Sequence, residues 1–420
     1  MFNLSILLIQ IAVILVTARA VGWVFGRIHQ PQVVGEMVAG IMLGPSLLGW
    51  IAPEIFRTLF PVSSLDFINA LSQVGLVVFM FLVGLELDPK VIEKNRHSAV
   101  VISHVSIIVP FLSGTVLAIF LYPRLSPASV PFTNFALFIG VSMSITAFPV
   151  LARILTDTKM VRTRVGTMTM AAAAVDDVTA WIILAGVVLL VRANSTALPF
   201  WATLLGAVVF ALFMLFIGRR LLKRLGTSED SDGRISQNQL AIVLLLVLAS
   251  ALVTEGLGIH PLFGAFFLGV VMPKDLVFVR ELKTKLEDIV IVLLVPLFFA
   301  FTGLRTTVGL ISGPDSLLYF GLILLIAIGG KFGGASLASR LSGMSWRESG
   351  SIGVLMNTRG LVELVALNIG LDIGVISPLV FTLMVFMALI TTFMTTPFLE
   401  WIYPPRTRLE DPRVAANVEL

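Results

Sequence analysis

Residues 165–191 contain two adjacent aspartates, Asp176 and Asp177, and no other charge. A run of that length can cross a bilayer, which takes about 20 predominantly apolar residues. A charged side chain at the centre of such a span costs about 3 kcal/mol on insertion scales, unless it faces a partner, an ion or water. Successive positions on a helix point about 100° apart, so the two carboxyls cannot share one face. One can look into a cavity while the other meets a neighbouring helix. A buried carboxylate can hold a proton or a hard monovalent cation, but not both strongly. The pair is therefore a candidate site for a proton or a cation, against the plainer reading of two buried acids satisfied by neighbouring hydroxyls.

Three further groups belong to the same problem. Lys331 sits among glycines in Gly329-Gly330-Lys331-Phe332-Gly333-Gly334, deep in an apolar run. A buried ammonium needs an anion, and Asp176, Asp177, Glu36 and Glu363 are the candidates. Ser142-Met-Ser144-Ile-Thr146-Ala-Phe-Pro149 interrupts a second run. Pro149 lacks an N–H, so the carbonyl of Ile145 loses its helical partner between the Ser144 and Thr146 hydroxyls. In lipid such groups must be met by protein, water or an ion. Met356-Asn357-Thr358-Arg359-Gly360-Leu-Val-Glu363 is a comparable polar interruption. Arg359 and Glu363 are four apart, which favours an intrahelical ion pair over direct ion binding. Glu36, beside Gly35, belongs either to an aqueous funnel or to a helix cap.

The elements that must position these residues are membrane spans. The chain has 420 residues, of which 57% are hydrophobic and 13% charged, and its mean hydropathy is +1.00. A soluble domain carries about 25% charged residues, so the expected class is an all-α polytopic membrane protein. There is no cysteine, which excludes disulfides and thiolate sites, and four histidines make a histidine-rich metal site a poor reading. No cofactor and no enzymatic chemistry are expected. The net charge of +4 does not point to nucleic acid, because the basic residues fall between the apolar runs. Thirteen spans are expected, at 4–26, 32–50, 66–87, 98–122, 132–154, 165–191, 199–221, 238–256, 259–273, 288–304, 316–339, 350–370 and 375–402. The first reads as a retained span rather than a cleaved signal, because no basic stretch precedes it. Residues 1–403 form one membrane domain, followed by a short tail at 404–420. Loops after odd-numbered spans, with the span edges that open them, carry nineteen Lys and Arg, and those after even-numbered spans carry four. The positive-inside rule then puts the N-terminus outside and the C-terminus in the cytoplasm.

The spans repeat. His260-Pro261-Leu-Phe-Gly264 with Gly269 echoes Gln30-Pro31-Gln-Val-Val-Gly35 with Gly40. Phe298-Phe-Ala-Phe-Thr-Gly303-Leu304 echoes Phe79-Met-Phe-Leu-Val-Gly84-Leu85. The partners are seven spans apart, an odd number, so the copies insert upside down relative to each other. Inverted repeats of this kind place a substrate site at the bilayer midplane, beside discontinuous helices. The fifth and twelfth spans, which hold the two polar interruptions, are the paired candidates for such helices.

Ser144-Ile-Thr-Ala-Phe-Pro-Val-Leu-Ala-Arg153, Val175-Asp-Asp-Val178, Gly330-Lys-Phe332 and Met356-Asn-Thr-Arg-Gly-Leu-Val-Glu363 stand in that order. With these four marks, nearly the whole chain resembles the monovalent cation:proton antiporter superfamily. The nearest likeness is to its second family, with bacterial potassium efflux systems and plant cation/H+ exchangers. The resemblance implies a fold with two crossed, broken helices beside the acidic pair. It also implies a homodimer of multi-pass protomers in a plasma or inner membrane, each with a core and a dimerisation part. It implies Na+ or K+ at Asp177 in exchange for protons, and Asp176 paired with Lys331 when no cation is bound. Ser144 and Thr146 would help to coordinate the cation, with Pro149, Asn357, Thr358, Arg359 and Glu363 in supporting roles. A gated K+ channel is the alternative of a different class. An intramembrane aspartyl protease is disfavoured, because its carboxylates normally converge from different helices on one proton.

Overall fold

Backbone polar groups in lipid must be satisfied within the protein, and a chain this apolar meets that demand with helices. In a computed structural model that describes residues 3–86, 96–192, 199–223 and 235–404, every regular element is helical. The main helices are α1 (Leu4–Arg27), α2 (Gln32–Leu43), α3 (Val62–Glu86), α4 (Arg96–Leu125), α5 (Phe132–Ser144), α6 (Phe148–Asp157), α7 (Arg164–Arg192) and α8 (Phe200–Leu212). They continue with α9 (Gln237–Gly256), α10 (Pro261–Val271), α11 (Leu276–Ile289), α12 (Val295–Leu304), α13 (Pro314–Leu341), α14 (Trp346–Met356), α15 (Leu361–Asp372) and α16 (Pro378–Ile402).

Each of the thirteen expected spans has a helical counterpart. Among the described residues, eleven segments are long and apolar enough to cross a membrane, and the pair α14 and α15, bent by 42°, makes a twelfth. The expected ninth span is the eleven-residue α10. At 1.5 Å per residue it reaches only about 16 Å, half the hydrocarbon thickness. The tenth span begins earlier than the apolar run suggested. Its first half is the charged α11, started by Asp275, whose carboxylate accepts from the N–H groups of Val277 and Phe278 at 3.0 and 3.2 Å. A hydropathy window cannot register a charged lead-in of this kind, whereas the N-cap signal can. Lys90, Lys94, Arg224, Arg234 and the residues of the tail beyond Pro404 lie outside the described residues.

The chain divides into two compact units, each assembled from three stretches. The first comprises Met1–Val16, Ala52–Asp88 and Val188–Phe301, and the second Thr17–Ile51, Pro89–Val187 and Thr302–Leu420. Asp176, Asp177, Lys331 and both polar interruptions belong to the second unit.

Glycines from the repeat do matching work in the two units. In the first, a Cβ on Gly84 of α3 would lie 2.2 Å from the carbonyl of Phe266 in α10, and one on Gly269 would lie 2.2 Å from that of Phe81. In the second, a Cβ on Gly303 would stand 2.0 Å from the Gly40 carbonyl carbon in α2. The third span of each copy therefore crosses the second span of the other copy at backbone contact. Gly35 likewise meets Gly22 of α1, and Gly264 meets Ser250 of α9, so the second span of each copy leans on its own first. At the α3–α10 crossing the Lys274 ammonium donates to three carbonyls, those of Gly84, Leu85 and Gly269, at 2.8–3.1 Å.

Small residues let membrane helices approach closely, and overpacking such a contact costs about 1–3 kcal/mol. Gly84→Ala and Gly303→Ala are expected to lower the melting temperature of the detergent-solubilised protein by several degrees. Gly321→Ala, on α13 with open space around it, is expected to leave it unchanged or raise it.

Candidate functional site

Alanine permits close approach, and Ala171 to Ala174 are all buried where α7 carries the aspartates into the second unit. Gly330 and Gly334 do the same for α13. A Cβ on Gly330 would meet Pro110 of α4 at 3.0 Å, and one on Gly334 would meet the carbonyl of Val105 at 3.2 Å. The helix for which the glycines make room is thus α4. The closeness brings Lys331, with no exposed surface, against Asp176, equally buried.

The Lys331 ammonium lies 3.2 and 3.3 Å from the two Asp176 carboxylate oxygens. It also donates to the main-chain carbonyl of Ser144. The carboxylate takes two further donors, the Ser106 hydroxyl at 2.8 Å and the Thr146 backbone N–H at 3.2 Å. Asp176 thereby joins four segments: α4, the interruption after α5, α7 and α13. Asp177 follows on α7 and is completely buried. The Ser144 hydroxyl donates back to Val141 at 2.8 Å, and the Thr146 hydroxyl donates to Met356 at 3.0 Å. Each hydroxyl keeps oxygen lone pairs for an incoming donor or cation.

The two interruptions are genuine chain breaks, stitched to each other. Ile145 to Ala147 leave the helix, with Ile145 and Ala147 extended, and Pro149 falls at the second position of α6, where its missing N–H costs nothing. Asn357 to Gly360 separate α14 from α15. The Ala147 N–H donates to the Thr358 carbonyl at 3.0 Å. Thr392 of α16 holds the second break by accepting from the Arg359 N–H at 2.9 Å and donating to its carbonyl at 2.6 Å. The Thr358 hydroxyl lies 3.4 Å from that of Thr395.

The expectation of an ion pair within one helix needs correction for Arg359 and Glu363. Arg359 lies in the break, ahead of α15, and its guanidinium spans the gap to the other broken helix. It donates to the Ser142 and Met143 carbonyls at 3.0 and 2.7 Å, and to Glu363 at 2.9 Å. The spacing of four is satisfied by a chain turning into a helix rather than by a helix. Arg359 thus caps the buried carbonyl end of α5, and Glu363 balances the charge. Neither group has any exposed surface. Asn357 is buried with its side-chain oxygen unbonded. Glu36 lies apart from Lys331 and faces Arg19 at 3.7 Å.

Ser106, Thr392 and Thr395 were not singled out in the sequence. A signal exists in the stripe Thr391, Thr392, Thr395, Thr396, which repeats hydroxyls at one-turn spacing along an apolar helix. Among the described residues no group of three or more His, Cys, Asp and Glu is placed to hold a metal ion.

Comparison with known proteins shows the family and the fold. Residues 12–402 match the family described as "Sodium/hydrogen exchanger, transmembrane". The Na(+)/H(+) antiporter NhaS4 of Synechocystis sp. is 44% identical over 403 residues, which is 96% of this chain and 98% of that protein. Cation/H(+) antiporter 17 of Arabidopsis thaliana is 40% identical over 96% of this chain, which spans 49% of the plant protein's length. K(+)/H(+) antiporter 1 of Saccharomyces cerevisiae is 36% identical, again over 96% of this chain and 47% of its own length. The solved structure of the sodium proton antiporter MjNhaP1 from Methanocaldococcus jannaschii at pH 8 superposes with a TM-score of 0.65 at 15% identity, covering 97% and 99% of the two chains. That likeness supports the fold with its inverted repeat.

Removing one partner of a buried pair leaves an uncompensated charge and costs about 3–5 kcal/mol. Arg359→Met should therefore destabilise the purified protein severely. Arg359→Met with Glu363→Leu should recover part of the loss, as read from melting temperatures of both variants in detergent.

Proposed function

Taking as premise that the chain belongs to the sodium/hydrogen exchanger family, we propose that it exchanges a monovalent cation, Na+ or K+, for protons by alternating access at Asp177. The observation that carries this reading is the division of labour between the adjacent acids. Asp176 is committed to Lys331, Ser106 and the Thr146 N–H. Asp177, one residue on and about 100° round the helix, is the carboxyl to which a transported ion is assigned. Oxygen ligands suit Na+ and K+, and the Ser144 and Thr146 hydroxyls and nearby carbonyls would complete the shell.

The cycle follows from competition. Asp177 takes a proton on one side of the membrane and a cation on the other, and a rocking motion of the unit that holds it exposes the site to each side in turn. Asp176 and Lys331 form the ion pair of the cation-free state. A lysine that gives up its proton when the cation arrives would allow two protons per cation. The cycle would then carry net charge, worth about 2.3 kcal/mol per charge per 100 mV. The loop charges favour a protein whose N-terminus lies outside and whose C-terminus is cytoplasmic. By analogy with the family, two copies form the working unit in the membrane.

The test is a pH-dye assay in proteoliposomes with Na+, K+ and Li+ offered in turn. Proton movement driven by at least one of these gradients is expected from the wild type, and Asp177→Asn should abolish it. Exchange retained at wild-type rates in Asp177→Asn would remove this carboxyl from the mechanism. Cation current without proton movement would favour a channel. A second measurement, with the potential clamped by valinomycin, addresses charge balance. Lys331→Met is expected to make exchange indifferent to membrane potential, with the cation dependence kept.

A further inference from the structure

In the second unit, α13, α14 and α16 leave a groove of about 180 Å³ on the surface that would face lipid. Ile328 and Phe332 line it from α13, Val354 and Asn357 from the end of α14, and Met394 and Trp401 from α16. The α16 residues form one stripe that runs down the helix from Thr391 to Ile402. At 1.5 Å per residue that stripe is about 16 Å long. Half the hydrocarbon core of a bilayer is about 15 Å. One end of the groove lies at the chain break after α14 and the other at Trp401, which is 79% exposed. A tryptophan at that level is the usual marker of the membrane–water interface.

The interfacial end is basic. Gly350 packs beside Ile402, so the start of α14 and the end of α16 lie together. Arg347 is exposed there, and Arg340 is exposed with its guanidinium 5.5 Å from the centre of the Trp346 ring. The nearby acids are otherwise engaged. Glu348 caps α14 and faces Arg164 at 3.5 Å, and Glu400 lies on another face of α16, in a separate cavity with Thr396.

We propose that this groove binds one acyl chain of an anionic phospholipid, with its headgroup at Arg340 and Arg347. The chain fits by length and by apolar lining, and the headgroup by charge. Its inner end lies against Asn357 and one side of the α14–α15 break, and Phe332 adjoins Lys331. A seated chain therefore braces the same segment that Thr392 bonds from α16, with Thr395 in the groove wall. The site rests on the chain spanning a membrane, and does not require that Asp177 carries the ion.

The test is binding without any ion gradient. Delipidated protein in detergent is titrated with phosphatidylglycerol or phosphatidylcholine while its melting temperature and Trp401 emission are followed, with Trp401→Phe as the emission blank. Phosphatidylglycerol is expected to act at a concentration about tenfold lower than phosphatidylcholine, an advantage that high salt removes. Val354→Trp and Met394→Trp fill the groove from two different helices, so one can serve if the other does not fold. Either should abolish the lipid-induced shift, and Arg340→Ala with Arg347→Ala should abolish the preference for phosphatidylglycerol. Equal action of the two lipids on the wild type, or an undiminished shift in a folded filled-groove variant, would overturn the proposal. Since no transport is measured, either result stands apart from that of the exchange assay.

Discussion

An ammonium and a carboxylate in oil can be tolerated only together, and the second unit is arranged around that constraint. Lys331 and Asp176 have no contact with solvent. Taking two such charges out of water costs several kcal/mol each, and their attraction offsets this only when the remaining lone pairs and protons find partners. Here they do. Ser106 and the Thr146 N–H complete the carboxylate, and the Ser144 carbonyl accepts a hydrogen bond from the ammonium. Two of those partners exist only because the chain between α5 and α6 is not helical. A continuous helix would have consumed the Thr146 N–H and the Ser144 carbonyl in its own ladder. The break and the ion pair thus explain each other.

The second break obeys the same logic with the charges exchanged. The carbonyl end of α5 is left short of donors where its helix stops. Arg359 supplies them from the other broken segment, through a planar group that can serve Ser142, Met143 and Glu363 at once. Lysine, a point charge, could not replace it in that fork. Each broken segment therefore meets a need of the other. Their mutual bonds, from Ala147 to Thr358 and from Thr146 to Met356, fix the non-helical backbone between the broken helices.

Much of this arrangement was legible because the residues were out of place. A charge inside an apolar run is expensive, so Asp176, Asp177, Lys331, Arg359 and Glu363 announced themselves, and Pro149 marked a break by the donor it lacks. The repeat was readable from glycines whose spacing mattered more than their number. Ser106 and Thr392 were not readable. Hydroxyls are cheap in membrane helices because they can bond to their own backbone, and nothing local marks the few that reach elsewhere. Their partners stand 70 and 33 residues away. The spacing of Arg359 and Glu363 misled for a related reason: four residues suit a helix, and they also suit a chain that has just begun one. Residue types alone left four candidate anions for Lys331; the resemblance named Asp176, and the close approach of α4, α7 and α13 brings that pair together.

The glycine crossings bear on how the protein comes into being. In the first unit α3, from the first copy of the repeat, is locked onto α10, from the second, and Lys274 clamps the carbonyls where they meet. In the second unit Gly303, at the end of α12, closes on Gly40 of α2. Neither copy can therefore close these crossings alone, although its second span already rests on its own first. The early helices leave these two crossings open until the later helices join them in the bilayer. Insertion order and assembly order are thus decoupled in this chain, and its first half spends its youth as a lodger among lipids.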